Sequence, residues 1–265
     1  MKMKILAVAN PKGGIGKTAF SVNTVHAAVE QDSPTLRIDF DKQGSFSLAH
    51  PHGPDYDPSK RYLKASDLFY APEKSADAEL EYLAPGQAII RADYDELLKL
   101  EKAPDDFAKH PGRYLRQFSD KFEVAVIDTP GTINMLLKAA LTCADAVVSP
   151  LTLGLYDTAG LAQLWQIIRD VKSGGFNPKL RMIGMLPSKV DTRDKMAMAE
   201  LDALRKHPKF GPAILPFMLA QKVPVARAIN LRKPVWKGAK SKSHREAGEQ
   251  WKQACDHVLT SLGSK

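Results

Sequence analysis

Short apolar runs bounded by turn-forming residues alternate along this chain with stretches whose apolar residues recur every three to four positions. That alternation predicts βαβ units and a parallel sheet. The clearest runs span residues 5–9, 36–38, 124–127, 146–148 and 182–186, with weaker ones at 80–83 and 213–215. Most are apolar at consecutive positions, so both faces of the sheet need covering by helices. Val22, Val25 and Val29 fall at helical spacing after the first run. Ala247, Trp251, Ala254, Val258 and Leu262 form one stripe along a helix predicted over 243–262. Residues 50–79 hold Pro51, Pro54, Pro58 and Pro72 with little periodicity, which predicts a loop-rich excursion carrying one short helix near 65–70. The expected architecture is α/β, a twisted, mostly parallel sheet with helices on both faces. A chain of 265 residues can fill it as one domain over 1–265.

Composition changes this picture only where it is uneven. Apolar residues at 44% and charged residues at 26% are ordinary for a globular chain. No apolar run approaches the length of a membrane span. The basic start is followed by an apolar segment of residues 5–9 alone, too short for a signal peptide. Cys143 and Cys255 are far apart and lack a metal-ligand pattern, so a reducing cytoplasm is expected and not a disulfide framework. The net charge of +8 is local. Lys222, Arg227, Arg232, Lys233, Lys237, Lys240, Lys242 and Arg245 follow one another with no Asp or Glu between them, leaving the rest of the chain near neutral. A polyanion is the expected partner of that stretch.

The sharpest chemical signal is Lys12-Gly13-Gly14-Ile15-Gly16-Lys17-Thr18, which leaves a predicted strand and opens a predicted helix. That context is what a phosphate-binding loop requires. Glycines allow several backbone N–H groups to converge on one anion, and the helix N-terminus adds its positive end. Lys17 is expected on the β- and γ-phosphates and the Thr18 hydroxyl on Mg²⁺. Two further motifs leave strands at the same kind of position: Asp39-Phe40-Asp41-Lys42-Gln43-Gly44, and Ile127-Asp128-Thr129-Pro130-Gly131. Carboxylates at the carboxyl ends of parallel strands lie where open α/β sheets bind ligands.

The loop departs from the common phosphate-loop pattern, because Pro11 holds its first glycine position and Lys12 supplies a second lysine. In this form it resembles the deviant Walker A motif of the ParA/MinD superfamily of P-loop ATPases. The Asp39 and Asp128 motifs resemble that family's two switch segments. The resemblance implies an ATP site built from residues 12–19, through Ala19, with Mg²⁺ and three catalytic residues. Lys12 would cross a dimer interface to the partner's ATP, Lys17 would neutralise phosphate charge and Asp41 would orient the attacking water. Asp39 and Asp128 would support the metal with Thr18, and the Gly131 N–H would sense the γ-phosphate. By the family's order of elements, Pro216 to Met218 would lie beside the adenine. No histidine base is expected, since the seven histidines sit away from these motifs.

The implied activity is slow ATP hydrolysis that times a homodimer bound non-specifically to DNA through the eight basic residues. Such a dimer would position a plasmid or chromosome on the nucleoid with a separate, centromere-binding ParB-like adaptor. With the phosphate loop starting eleven residues in, no helix-turn-helix is expected ahead of it. A MinD-like membrane ATPase would need an apolar amphipathic C-terminal segment, and residues 259–265 make a poor one, so no stable membrane association is expected. An iron–sulfur relative would need paired cysteines. A metabolic ligase of the same superfamily is the enzyme alternative, disfavoured by Lys12 and the basic stretch.

Overall fold

The computed structural model describes residues 2–70, 75–154, 157–238 and 241–263. Eight strands form one sheet in the order β3-β4-β2-β5-β1-β6-β7-β8, parallel throughout except for the β3–β4 pair. The strands are β1 (Lys4–Val8), β2 (Thr35–Asp39), β3 (Glu81–Ala84), β4 (Gln87–Ile90), β5 (Val124–Asp128), β6 (Ala146–Leu151), β7 (Arg181–Val190) and β8 (Leu219–Ala220).

The helices are α1 (Lys17–Glu30), α2 (Ser45–Ala49), α3 (Tyr94–Leu100), α4 (His110–Leu115), α5 (Met135–Cys143), α6 (Asp157–Ser173), α7 (Lys195–Lys206), α8 (Val223–Asn230) and α9 (Lys242–Leu262). Successive residues of each central strand feed opposite faces, as the period of two demands. Ile5, Ala7, Ala125 and Ile127 enter one apolar core with Leu97 of α3, Leu115 of α4, Leu137 of α5 and Leu164 of α6. Leu6, Val8, Val124 and Val126 enter the other with Phe20 and Val25 of α1 and Trp251 and Val258 of α9. Each such side chain removed from water contributes about 1.5–3 kcal/mol, so the two cores hold the loops at the sheet edge in place.

The five strong runs of the sequence are strands: β1 begins and ends one residue before its run, the other four extend theirs by one to several residues, and the run at 80–83 overlaps β3. The run at 213–215 is not a strand. Gly211–Ala213 is a single 3₁₀ turn, Ile214 makes one isolated bridge to Met185, and the edge strand is β8. Pro212, directly before that run, favours the turn and offers no ladder donor. The strand β4 went unread because Gly86 ends a hairpin turn directly before it, leaving a run of only four residues, Gln87–Ile90. The excursion at 50–79 is loop-rich, with a 3₁₀ turn at Ala65–Phe69 and Pro72 outside the described residues. The predicted stripe on the last helix is real: Ala247, Trp251, Ala254, Val258 and Leu262 are all buried.

Candidate nucleotide site

At the carboxyl end of β1 the chain turns through the glycine loop and enters α1. Gly14 and Gly16 hold φ of 73° and 98°, so their N–H groups can converge where an L-residue would be strained. A Cβ on Gly16 would also sit 2.9 Å from Ser188 Oγ of β7. The helix that follows has no side-chain cap and no acid in its first turn, which leaves its N-terminal donors to an external anion. On the side where a Cβ would point, Gly13 and Gly14 meet nothing within 4 Å. Lys17 is buried, and its Nζ folds back 2.7 Å onto Lys12 O. Burial lowers the Lys17 pKa, against the pull of Asp128 and Asp41.

The two strand-end carboxylates meet behind the loop. Asp39 and Asp128 are register partners on adjacent β2 and β5, and both side chains are fully buried. Asp128 accepts 2.7 Å bonds from Thr18 Oγ1 and Ser21 Oγ. Asp39 accepts from the Ser47 N–H and hydroxyl at 2.7 Å each, and from the Asp41 N–H at 3.1 Å. Burial raises both carboxyl pKa values, and the negative charge of Asp128 raises that of Asp39 further. Such a pair is completed by a cation. Among the described residues no group of three or more His, Cys, Asp or Glu forms a metal cage. That donor set suits Mg²⁺, which binds through one or two carboxylates together with substrate phosphates and water.

The remaining motif residues close around this centre. Asp41 is half-buried and turns the chain through Gln43 N–H at 3.0 Å and Gly44 N–H at 2.8 Å. A Cβ on Gly131 would lie 2.7 Å from Gly13 Cα and 2.8 Å from Gly13 N, so the segment after Asp128 is pressed backbone to backbone on the phosphate loop. Ala19 lies half-buried in the first turn of α1 and Ile15 is buried beneath the loop. Met218 directly precedes β8, whose Leu219 pairs with Ser188, the neighbour of Gly16. Pro216 is exposed, with its carbonyl accepting from Arg205.

Three contributors escaped the sequence reading. Asn10 anchors the loop, accepting from Lys12 N–H and donating to Ser149 Oγ and Pro150 O of β6. Ser21 stands one helical turn after Lys17 and so reaches Asp128 beside Thr18. Ser47 was hidden in a stretch without periodicity. Its hydroxyl bridges Asp39 to the Ala92 N–H.

The basic stretch is only partly unopposed. Lys237 pairs with Glu30 of α1 at 2.9 Å, and Lys222 lies 4.0 Å from Glu246. Arg227, Arg232, Lys233, Lys242 and Arg245 are exposed and make no ion pair among the described residues, while Lys240 lies outside them.

A parallel sheet carrying a glycine loop, a buried lysine and two strand-end carboxylates defines a P-loop nucleoside-triphosphatase fold. A profile of the AAA domain matches residues 3–182. The chain is 32% identical over 267 residues to protein IncC of Escherichia coli, covering 98% of this chain and 70% of that protein. It is 29% identical to chromosome partitioning protein ParA of Caulobacter vibrioides, over 88% of this chain and 86% of that one. The fold superimposes on a McdA–ATP complex from Cyanothece with a TM-score of 0.82 at 19% identity, covering 100% and 98% of the two chains. The chain belongs to the ParA family within the ParA/MinD superfamily.

Proposed function

We propose that this chain, as one domain over 1–265, is an ATP-driven switch for DNA partition. ATP and Mg²⁺ would occupy the loop, two copies would then close face to face, and the closed dimer would hold DNA non-specifically. The observation that carries this reading is the joining of Lys17, Thr18 and Asp128 at one sheet edge, with Lys12 at the mouth of the same loop. The partition roles in the names of IncC and ParA support it.

Bound Mg²⁺ would supply charge neutralisation and polarisation of the phosphate oxygens. Around it, the α1 N-terminus and Lys17 would bind the phosphate chain. Thr18 and Asp128 would orient the metal side, with Asp39 held behind them by Ser47. Asp41 would position the attacking water for in-line displacement, and the partner copy's loop lysine would take up charge on the γ-phosphate. The motifs contain no histidine to act as a base, so turnover would be slow. One ammonium about 4 Å from a phosphate oxygen contributes on the order of 4 kcal/mol at an effective dielectric near 20, enough to make closure depend on the triphosphate.

The five unpaired cations from Arg227 to Arg245 would contact phosphates, and dimerisation would double their number. A ParB-like adaptor would bind the dimer and stimulate hydrolysis, placing the complex on the nucleoid. No helix among the described residues is long and apolar enough to cross a membrane, and the apolar stripe of α9 is spent on the domain's own core. The test is size-exclusion chromatography and duplex binding with ATP, ADP and no nucleotide, on the native chain and Lys12→Ala. The native chain should dimerise and bind duplex only with ATP, and Lys12→Ala should do neither. Equally tight ATP-dependent DNA binding by Lys12→Ala would overturn the reading.

A further inference from the structure

At the edge of the sheet opposite the phosphate loop, a cleft of about 420 Å³ opens between the start of β1, α4, the end of α5 and the turn after α6. It lies at the amino-terminal ends of the strands and shares no residue with the nucleotide site. Lys2, Lys109, Arg113 and Arg116 line it, against the single carboxylate of Asp145. One oxygen of that carboxylate is already taken by the Ile5 N–H at 2.8 Å.

The cations are placed by local structure. Lys109 ends the 3₁₀ turn Asp105–Lys109 at the N-cap position of α4, and Arg113 and Arg116 follow it at i+4 and i+7 through α4 and the 3₁₀ turn Arg116–Phe118, so all three face the cleft. Phe176 sits at the rim between two ammonium groups, with Lys138 Nζ 3.8 Å and Lys109 Nζ 4.9 Å from its ring centroid. Lys138 has a carboxylate of its own, Asp105 at 2.5 Å. Lys2, Lys109, Arg113 and Arg116 have none among the described residues, unlike Lys42, Lys60, Arg61 and Arg91.

Four like charges around one concavity repel each other and focus a positive field into it. Two guanidinium forks supply planar, bidentate donors suited to phosphate oxygens. The volume lies in the range of small-molecule sites and is too confined for a duplex backbone to enter. We propose that this cleft is a second anion site, which binds a small, multiply charged phosphate compound independently of the ATP loop.

The probe is inorganic pyrophosphate, titrated calorimetrically without Mg²⁺ into full-length Lys17→Ala, in which the ATP loop is disabled. Binding with a Kd on the order of 0.1 mM is expected. Adding Arg113→Ala and Arg116→Ala should weaken it at least roughly tenfold, while Arg113→Lys with Arg116→Lys retains the charge and loses less. These side chains are exposed, so the circular dichroism spectrum should not change. A second arm measures duplex affinity with ATP in the native background with the same alanine pair, and no change is expected. Absence of pyrophosphate binding at 10 mM (roughly a hundred times the expected Kd), or binding unaltered by the alanine pair, would overturn the proposal. So would loss of duplex affinity without loss of pyrophosphate binding, which would make the cleft a DNA contact.

Discussion

Two histidines under α2 make the stability of this fold depend on pH in a way that can be isolated. His50 caps α2 and donates through Nδ1 to Phe46 O at 2.9 Å, while its buried Nε2 has no partner among the described residues. Burial, Arg37, His26 and Arg91 push its pKa down to about 3, against the Phe46 bond. Burial, Arg37 and Lys237 push His26 down to about 4, against Glu30. Both imidazoles are therefore neutral in the folded chain at pH 5.5, whereas in the unfolded chain each titrates near 6.5. The unfolded state binds more protons below that value, so stability is complete above it and is lost as pH falls towards the folded values. At pH 5.5 the unfolded imidazole gains 2.303RT·log(1 + 10), about 1.4 kcal/mol, against less than about 0.1 kcal/mol at pH 7.5. His50→Asn keeps a donor near the Nδ1 position and removes the titration. Urea unfolding of both proteins at pH 7.5 and 5.5, without nucleotide, should show the native chain losing about 1.3 kcal/mol more than the variant. Adding His26→Gln should double that difference. Asp39 and Asp128, with raised pKa values, act in the opposite sense in every variant and cancel from the comparison. Parallel pH dependences, within about 0.3 kcal/mol, would refute the buried, neutral state of these rings.

Gly131→Ala drives a methyl into the backbone of Gly13 and should cost about 1–3 kcal/mol in urea unfolding. ATP hydrolysis should fall at least about tenfold in the same variant, because the segment after Asp128 can no longer rest on the loop. Ser47→Ala removes a hydroxyl that donates to Asp39 and accepts from Ala92, costing about 1–3 kcal/mol of stability. It should lower hydrolysis more than nucleotide affinity, and a fluorescent-nucleotide titration beside a phosphate-release assay separates the two. Glu30→Gln releases Lys237 from its carboxylate and leaves Lys252 paired with Asp256, at 2.8 Å. Duplex binding should tighten, with the logarithmic salt slope steeper by up to about 0.9 for each released cation that meets a phosphate. An unchanged slope in a filter-binding series would place Lys237 away from DNA.

The parts of the site that sequence made legible are those in which local spacing alone fixes the chemistry. A glycine loop between strand and helix leaves little freedom, so Lys17 and Thr18 could be placed from seven residues. An acid ending an apolar strand lies at the sheet's carboxyl edge whatever the rest of the chain does, so Asp39 and Asp128 could be placed too. What stayed hidden depends on elements distant in sequence. Ser47 becomes a ligand of Asp39 only because α2 folds back over β2, and Asn10 an anchor only because β6 lies beside β1. The stretch from Lys222 to Arg245 looked wholly unopposed because the countercharge of Lys237, Glu30, is 207 positions away and meets it only in the folded chain, where α1 packs on α9.

Arg37 shows the same limit from the opposite side. This one residue of β2 breaks the apolar run of its strand and is buried; among the described residues its Nε and Nη1 have no partner, and its Nη2 donates to Gln87 Oε1. Spacing gave no warning of that, since an arginine in a strand reads as a solvent-facing position. Burial, and after it the charge of Arg37, holds His26 and His50 neutral, so the polar layer beneath α2 exists only in the assembled sheet. That layer carries the helix whose Ser47 fixes Asp39. The second motif thus rests on a costly, incompletely satisfied foundation, whereas the phosphate loop rests on Asn10, β6 and two apolar cores. The proposed switch would have this segment change partners during an ATP cycle, and the weaker of the two supports is where such a change would cost least.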